Sequence, residues 1–252
     1  MNIATEPVQF SYSDRTPLTS RFTEASGKLW PAVQGVRALS VVLVGSFTPA
    51  IVQPAHLIGA GLLTDADLAQ LRYEILAPEV SVMQVPWMRL VLEPGRLTAS
   101  STLQNPVGEP IRDFVFGFCA TLPVKQFTSA GINHDTHFAV SSPEIWHRVG
   151  HTLAPKDTVW ARVLKEPGLL SLAIQGKRDD DQQGHINVKV EPSIHITPGI
   201  YVNVNDHFAA GEQEFKRDPA YLLGTISDNW SASKRRADGI LATVKALCDG
   251  RT

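Results

Sequence analysis

The chain has 252 residues, 43% of them apolar and 19% charged, enough for a substantial core in one large domain or two small ones. Its 23 basic and 25 acidic side chains give a formal charge of −2, so no global field draws it to nucleic acid or to an anionic membrane surface. Only Cys119 and Cys248 are present, which argues against a disulfide framework and for a reducing compartment.

The first 36 residues mix Thr, Ser, Pro and isolated aromatics without a period, and are expected to form an N-terminal arm. They lack the basic start and apolar stretch of a signal peptide, and no run approaches the roughly 20 apolar residues of a membrane helix. A cytoplasmic location is therefore expected. From Arg37, "RALSVVLVGSF" is β-branched and nearly uninterrupted, as in a strand at the centre of a sheet.

Pro54 suits the first turn of a helix, "PAHLIGAGLL". "TDADLAQLRYEIL" reads as a second helix, capped by Thr64 or Asp65, with Leu68, Leu71 and Ile75 on one face. Residues 79–101 read as strands broken at Pro86 and turned at Pro94-Gly95. In residues 109–123, Ile111, Phe114, Val115, Phe118, Cys119 and Leu122 recur at helical spacing. A strand is expected over 129–140, then a helix over 142–153 capped by Ser142 with Pro143 at its first position. Three strands follow, "GLLSLAIQGKR", "GHINVKVEPSI" and "GIYVNVNDHF", and a last helix from about Ser231.

With Pro54 laid on Pro143, Leu57 meets Trp146 and Gly61 meets Gly150, at a constant offset. The fold expected is α+β: an antiparallel sheet with helices on one face, in a single domain over 37–252. A duplicated β-α-β(n)-α unit, about 37–125 and 126–252, is one reading of the echo. The halves would then join into a curved sheet resembling the saddle of the TATA-binding-protein fold. A chance likeness of short Pro-started helices is the other reading.

Strand alternation sorts side chains by face. Ile186, Val188 and Val190 oppose His185, Asn187, Lys189 and Glu191, while Ile200, Val202 and Val204 oppose Tyr201, Asn203, Asn205 and His207. In "GINHDTHF", Ile132 and Phe138 take His134 and Thr136 inward and leave Asn133, Asp135 and His137 on the polar face. Asparagine is a poor strand former, so its abundance there points either to a solvated face with cross-strand amide pairing or to a recognition surface. The candidate binding residues are Asn133, Asp135, His137, Asn187, Lys189, Tyr201, Asn203, Asn205 and His207.

Catalytic motifs are weaker. His147 and His151 lie at i, i+4 and, with His137, form a candidate zinc or hydrolase set, but "HRVGH" lacks the glutamate of the H-E-x-x-H signature. No G-x-S-x-G elbow surrounds a serine, and "GKRDDDQQG" lacks the spacing of a phosphate loop and reads as a hairpin loop. "SKRR" (233–236) reads as a solvated helix flank.

"GSFTPAIVQPAHLIGAGLL", "GINHDTHF", "LAPKDTVW" and "PGIYVNVNDHF", within residues 40–210, resemble a sporadically distributed, uncharacterised family of bacterial proteins. The resemblance carries no catalytic motif; it implies a bacterial cytosolic accessory protein from a mobile or defence-associated locus. The expected function is thus a non-enzymatic binding or assembly subunit without a cofactor, engaging a protein partner or itself. The alternatives are a His-dependent or metal-assisted hydrolase, and a nucleic-acid-binding protein with Tyr201 stacking on bases.

Overall fold

A computed structural model describes residues 35–101, 108–122, 127–210 and 219–249. The expected N-terminal arm lies outside them, except at its last positions, where the first strand begins. Among these residues nine antiparallel strands form one sheet. β1 (Gly35–Gly45) is central, between β5 (Arg96–Ser101) and β6 (Phe127–Ala139), and its Val41, Val42 and Leu43 are buried. Those β-branched and aliphatic side chains on successive positions match a strand at the centre of a sheet.

After β1 the chain makes a 3-10 turn and then α1 (Pro54–Gly59), with Pro54 in its first turn and Gly61 at a φ of +66° ending it. α2 (Asp65–Leu68) carries a full capping box: Asp67 N–H donates to Thr64 Oγ1 at 3.2 Å, and Thr64 N–H donates to Asp67 Oδ2 at 3.0 Å. The expected longer helix does not form. Arg72–Leu76 are instead the edge strand β2, paired with β3 (Ser81–Val85), and Ile75 and Leu76 are exposed. The helical spacing of Leu68, Leu71 and Ile75 loses to cross-strand pairing of a segment whose Tyr73 and Ile75 favour extended backbone.

β3 turns through Pro86-Trp87 into β4 (Met88–Glu93), and Pro94-Gly95 turns β4 into β5. α3 (Gly108–Thr121) buries Ile111, Phe114, Val115, Phe118 and Cys119, the stripe its spacing predicts. α4 (Pro143–Leu153) starts as expected, with Ser142 Oγ accepting from Ile145 N–H at 3.3 Å. β7 (Leu172–Lys177), β8 (Gly184–Pro192) and β9 (Gly199–Ala209) then complete the sheet on the far side of β6.

α5 (Pro219–Cys248) begins twelve residues before the expected start. It joins two apolar clusters: Leu222, Ile226 and Trp230 pack with α3 and the β1, β3, β4 and β5 side chains, while Ala237, Leu241 and Val244 pack with α4, β6, β8 and β9. The strand order is symmetrical about the β1–β6 pair, β5-β4-β3 on one side and β9-β8-β7 on the other, with β2 the extra strand. That symmetry of order does not confirm a saddle of the TATA-binding-protein kind. No helix among the described residues is long and apolar enough to cross a membrane.

Candidate functional site

The helices settle which sheet face is which. His134 Nε2 lies 3.1 Å from Ser233 Oγ on α5, and Val202 and Val204 pack with α5's Ala237 and Leu241. Even-numbered residues of β6 and β9 therefore face the helices. Odd-numbered residues face away, where no described helix covers them.

Register then assembles the nine candidate residues into neighbouring rungs. Asn133, Asn205 and Asn187 stand abreast on β6, β9 and β8, followed by Gln175 on β7. Their amides form a ladder: Gln175 Nε2 donates to Asn187 Oδ1 at 3.1 Å, Asn187 Nδ2 to Asn205 Oδ1 at 3.3 Å, and Asn205 Nδ2 to Asn133 Oδ1 at 2.7 Å. Cross-strand amide pairing is thus present. Gly131 makes room for it, since a Cβ there would stand 2.8 Å from Asn205 Nδ2.

The next rung sets Asp135 beside Asn203 and Lys189, and the one beyond sets His137 beside Tyr201 and Glu191. Asp135 Oδ1 accepts from the Tyr201 hydroxyl and from Asn203 Nδ2 at 2.9 Å, while Lys189 pairs with Glu191 at 2.7 Å. Burial, followed by the Asp135 hydrogen bond, raises the Tyr201 phenol well above its ordinary value, so it stays a donor.

His137 stacks on Tyr201 with centroids 4.6 Å apart and meets His195 edge-on at 4.5 Å. Its Nδ1 lies 2.9 Å from Ser193 Oγ, which accepts from the backbone N–H groups of His195 and Ile196 at 3.1 and 3.0 Å. With both hydroxyl lone pairs engaged, Ser193 donates its proton to His137 Nδ1, which fixes the imidazole proton on Nε2. Burial, then the neighbouring His195, lowers the affinity of His137 for a second proton.

At the other end of the face His207 stacks on His185, with centroids 4.3 Å apart and planes 12° from parallel. Burial first, then His185 and Arg178, lowers its pKa, and its Nδ1 is a buried atom with no hydrogen-bond partner among the described residues.

The alternative His137, His147 and His151 set is not brought together. His137 stands on the uncovered face, whereas α4, carrying His147 and His151, packs on the other, and His151 Nε2 pairs with Asp157 at 3.0 Å. Among the described residues no group of three His, Cys, Asp or Glu side chains is placed to hold a metal.

Four residues of the face were not among the candidates. Gln175, His185, Ser193 and His195 all touch candidate residues. His185 was legible from alternation in β8, and Gln175 required the β7–β8 register. Ser193 and His195 sit in the loop after β8, where no period applies.

Sequence reading also missed Asp206, an even-numbered and hence inward carboxylate that is 0% exposed. It pairs with Arg178 and with Arg236 of α5; Arg178 also holds Asp180 at 2.6 Å, and Arg236 holds Asp179 at 3.1 Å. Asp179 and Asp180 of the 178–183 loop thus have an internal task. "SKRR" needs a matching correction: it lies mid-helix, Lys234 and Arg235 are exposed, but Ser233 is buried and Arg236 is drawn into this network.

No family model matches the chain, and no curated protein matches it. The resemblance drawn from the quoted segments therefore rests on those segments alone.

Proposed function

We propose that the chain is a non-enzymatic binding or assembly subunit whose β6–β9–β8 face engages a protein, either a partner or a second copy of itself. The observation that carries this is the amide ladder on the uncovered face. A primary amide has two N–H donors and two carbonyl lone pairs, and the ladder engages one N–H of each donating residue. The remainder suit a partner's backbone or amide side chains.

Charge favours a protein over a nucleic acid. Lys189 pairs with Glu191, and Arg89 further along the sheet with Glu74 at 2.7 Å, so the cations on these strands offer phosphates little, and exposed Lys177 stands apart from them at the β7 edge. Tyr201 already has His137 on its ring, leaving it a poor stacking platform for bases. The hydrolase reading is disfavoured too. His137 Nδ1 is taken by Ser193, and Asp135 is engaged by Tyr201 and Asn203, so the pair does not form a carboxylate–imidazole dyad. Cys119 and Cys248 form no disulfide, which accords with a reducing, cytoplasmic setting. The accessory role in a bacterial complex implied by the quoted segments is compatible with this reading.

The test is association of the purified chain with itself and with co-purifying protein, compared with Asn203→Ala and Asn205→Ala. Asn203→Ala removes one side-chain hydrogen bond and Asn205→Ala two, each bond worth about 0.5–1.5 kcal/mol, which leaves the core intact. Expected is a loss of association in both variants with melting behaviour near wild type. Unchanged association in both would contradict the proposal.

A further inference from the structure

The "HRVGH" helix borders a different feature, on the face opposite the amide ladder. Between α4, residues 167–169 and the β8 end of the sheet lies a cleft of about 510 Å3, walled by Trp146, Val149, Leu153, Leu169, Val190 and Ile200. This falls in the ~300–1,000 Å3 range of small-molecule sites, which are mostly apolar with a few fixed polar groups. Trp146 presents its ring, because its indole N–H donates to Gly199 O at 2.9 Å.

One buried charge lines this apolar space, beside the more exposed Arg148 and Glu191. Lys156 is 8% exposed, and its Nζ donates to Gly150 O at 2.6 Å and Ala154 O at 2.8 Å, carbonyls of the last turn and C-cap of α4. Those two bonds use two of the three ammonium donors. No carboxylate among the described residues pairs with it: neighbouring Asp157 is turned to His151, and Glu191, also at the cleft, is held by Lys189. A buried cation satisfied only by carbonyl dipoles is relieved when an anion reaches it. His147 and Arg148 line the same cleft and add no negative charge.

We propose that this cleft binds a small amphipathic carboxylic acid, its carboxylate on Lys156 Nζ and its apolar body against the Trp146, Leu169 and Ile200 wall. Capping of α4 alone would explain the two carbonyl bonds, but not an ammonium placed at the wall of an apolar cleft with a donor to spare.

Isothermal titration of the full chain with decanoate and with decanol tests this. Wild type is expected to bind one decanoate saturably, with decanol at least about tenfold weaker. Lys156→Met is expected to weaken decanoate by about tenfold or more and to leave decanol unchanged. Three results would overturn the proposal: no saturable decanoate binding below about 1 mM, equal affinity for acid and alcohol, or a folded Lys156→Met chain that binds decanoate as wild type does. Where loss of the helix cap unfolds that variant, Leu169→Trp, which narrows the cleft and keeps the ammonium, decides. It is expected to weaken decanoate by about tenfold, and an unchanged affinity overturns the proposal.

Discussion

His134 illustrates how much of the site a two-residue period can decide. Its neighbours Ile132 and Phe138 take it inward, and it meets Ser233 under α5, while Asn133 and Asp135 on either side go outward. Burial lowers its pKa from the ordinary 6.5; Lys234 acts in the same direction, and Asp206, Asp238 and Asp135 oppose it. His137 and His207 are lowered as well. A histidine lowered in the folded chain binds its proton first in the unfolded one, so stability falls as pH drops below about 6.5 toward the folded value. The melting temperature should therefore decrease between about pH 7.5 and 5.5, and His134→Asn should flatten that slope; equal slopes in the two proteins would contradict the assignment. The same period placed a carboxylate, Asp206, at a core position. That signal was present in the sequence, but only the matching arginines, far away in the chain, explain how the charge is tolerated.

Among the elements, those with an uninterrupted period were legible and those defined by a distant partner were not. α3 carries five apolar positions at helical spacing, Ile111, Phe114, Val115, Phe118 and Cys119, and its buried stripe follows. β2 was mistaken for helix because its pattern is short and its edge pairing with β3 is invisible locally. The first part of α5 was missed because Gly224, Asp228 and Asn229 weaken its helical signal, although Leu222, Ile226 and Trp230 lie four apart and are buried. β6 offers a direct check of the ladder. Gly131→Ala would place a Cβ 2.8 Å from Asn205 Nδ2, the far end of a side chain, and should displace that amide while sparing the backbone. Urea unfolding should register a loss of no more than about 1.5 kcal/mol, whereas a much larger loss would mean that the strand itself cannot accommodate a side chain there.

At the scale of the whole molecule, α5 seats one end in each apolar cluster and the continuous sheet runs beneath both, so one side of the sheet is committed to helices. What the sheet offers to another protein is the reverse side, where a polar row crosses β6, β9, β8 and β7 in register. The residue types of that row were readable from the sequence. Their alignment was not, because register depends on the loops that join the strands. The face assignment is tested most directly by site-specific photo-crosslinking in cells, with p-benzoylphenylalanine placed at Lys189 on the uncovered face or at Lys234 on α5, both exposed. Position 189 is predicted to yield discrete protein adducts, of self or partner mass, and position 234 none above background. Adducts from 234 alone, equal yields from both, or none from 189 would contradict the account.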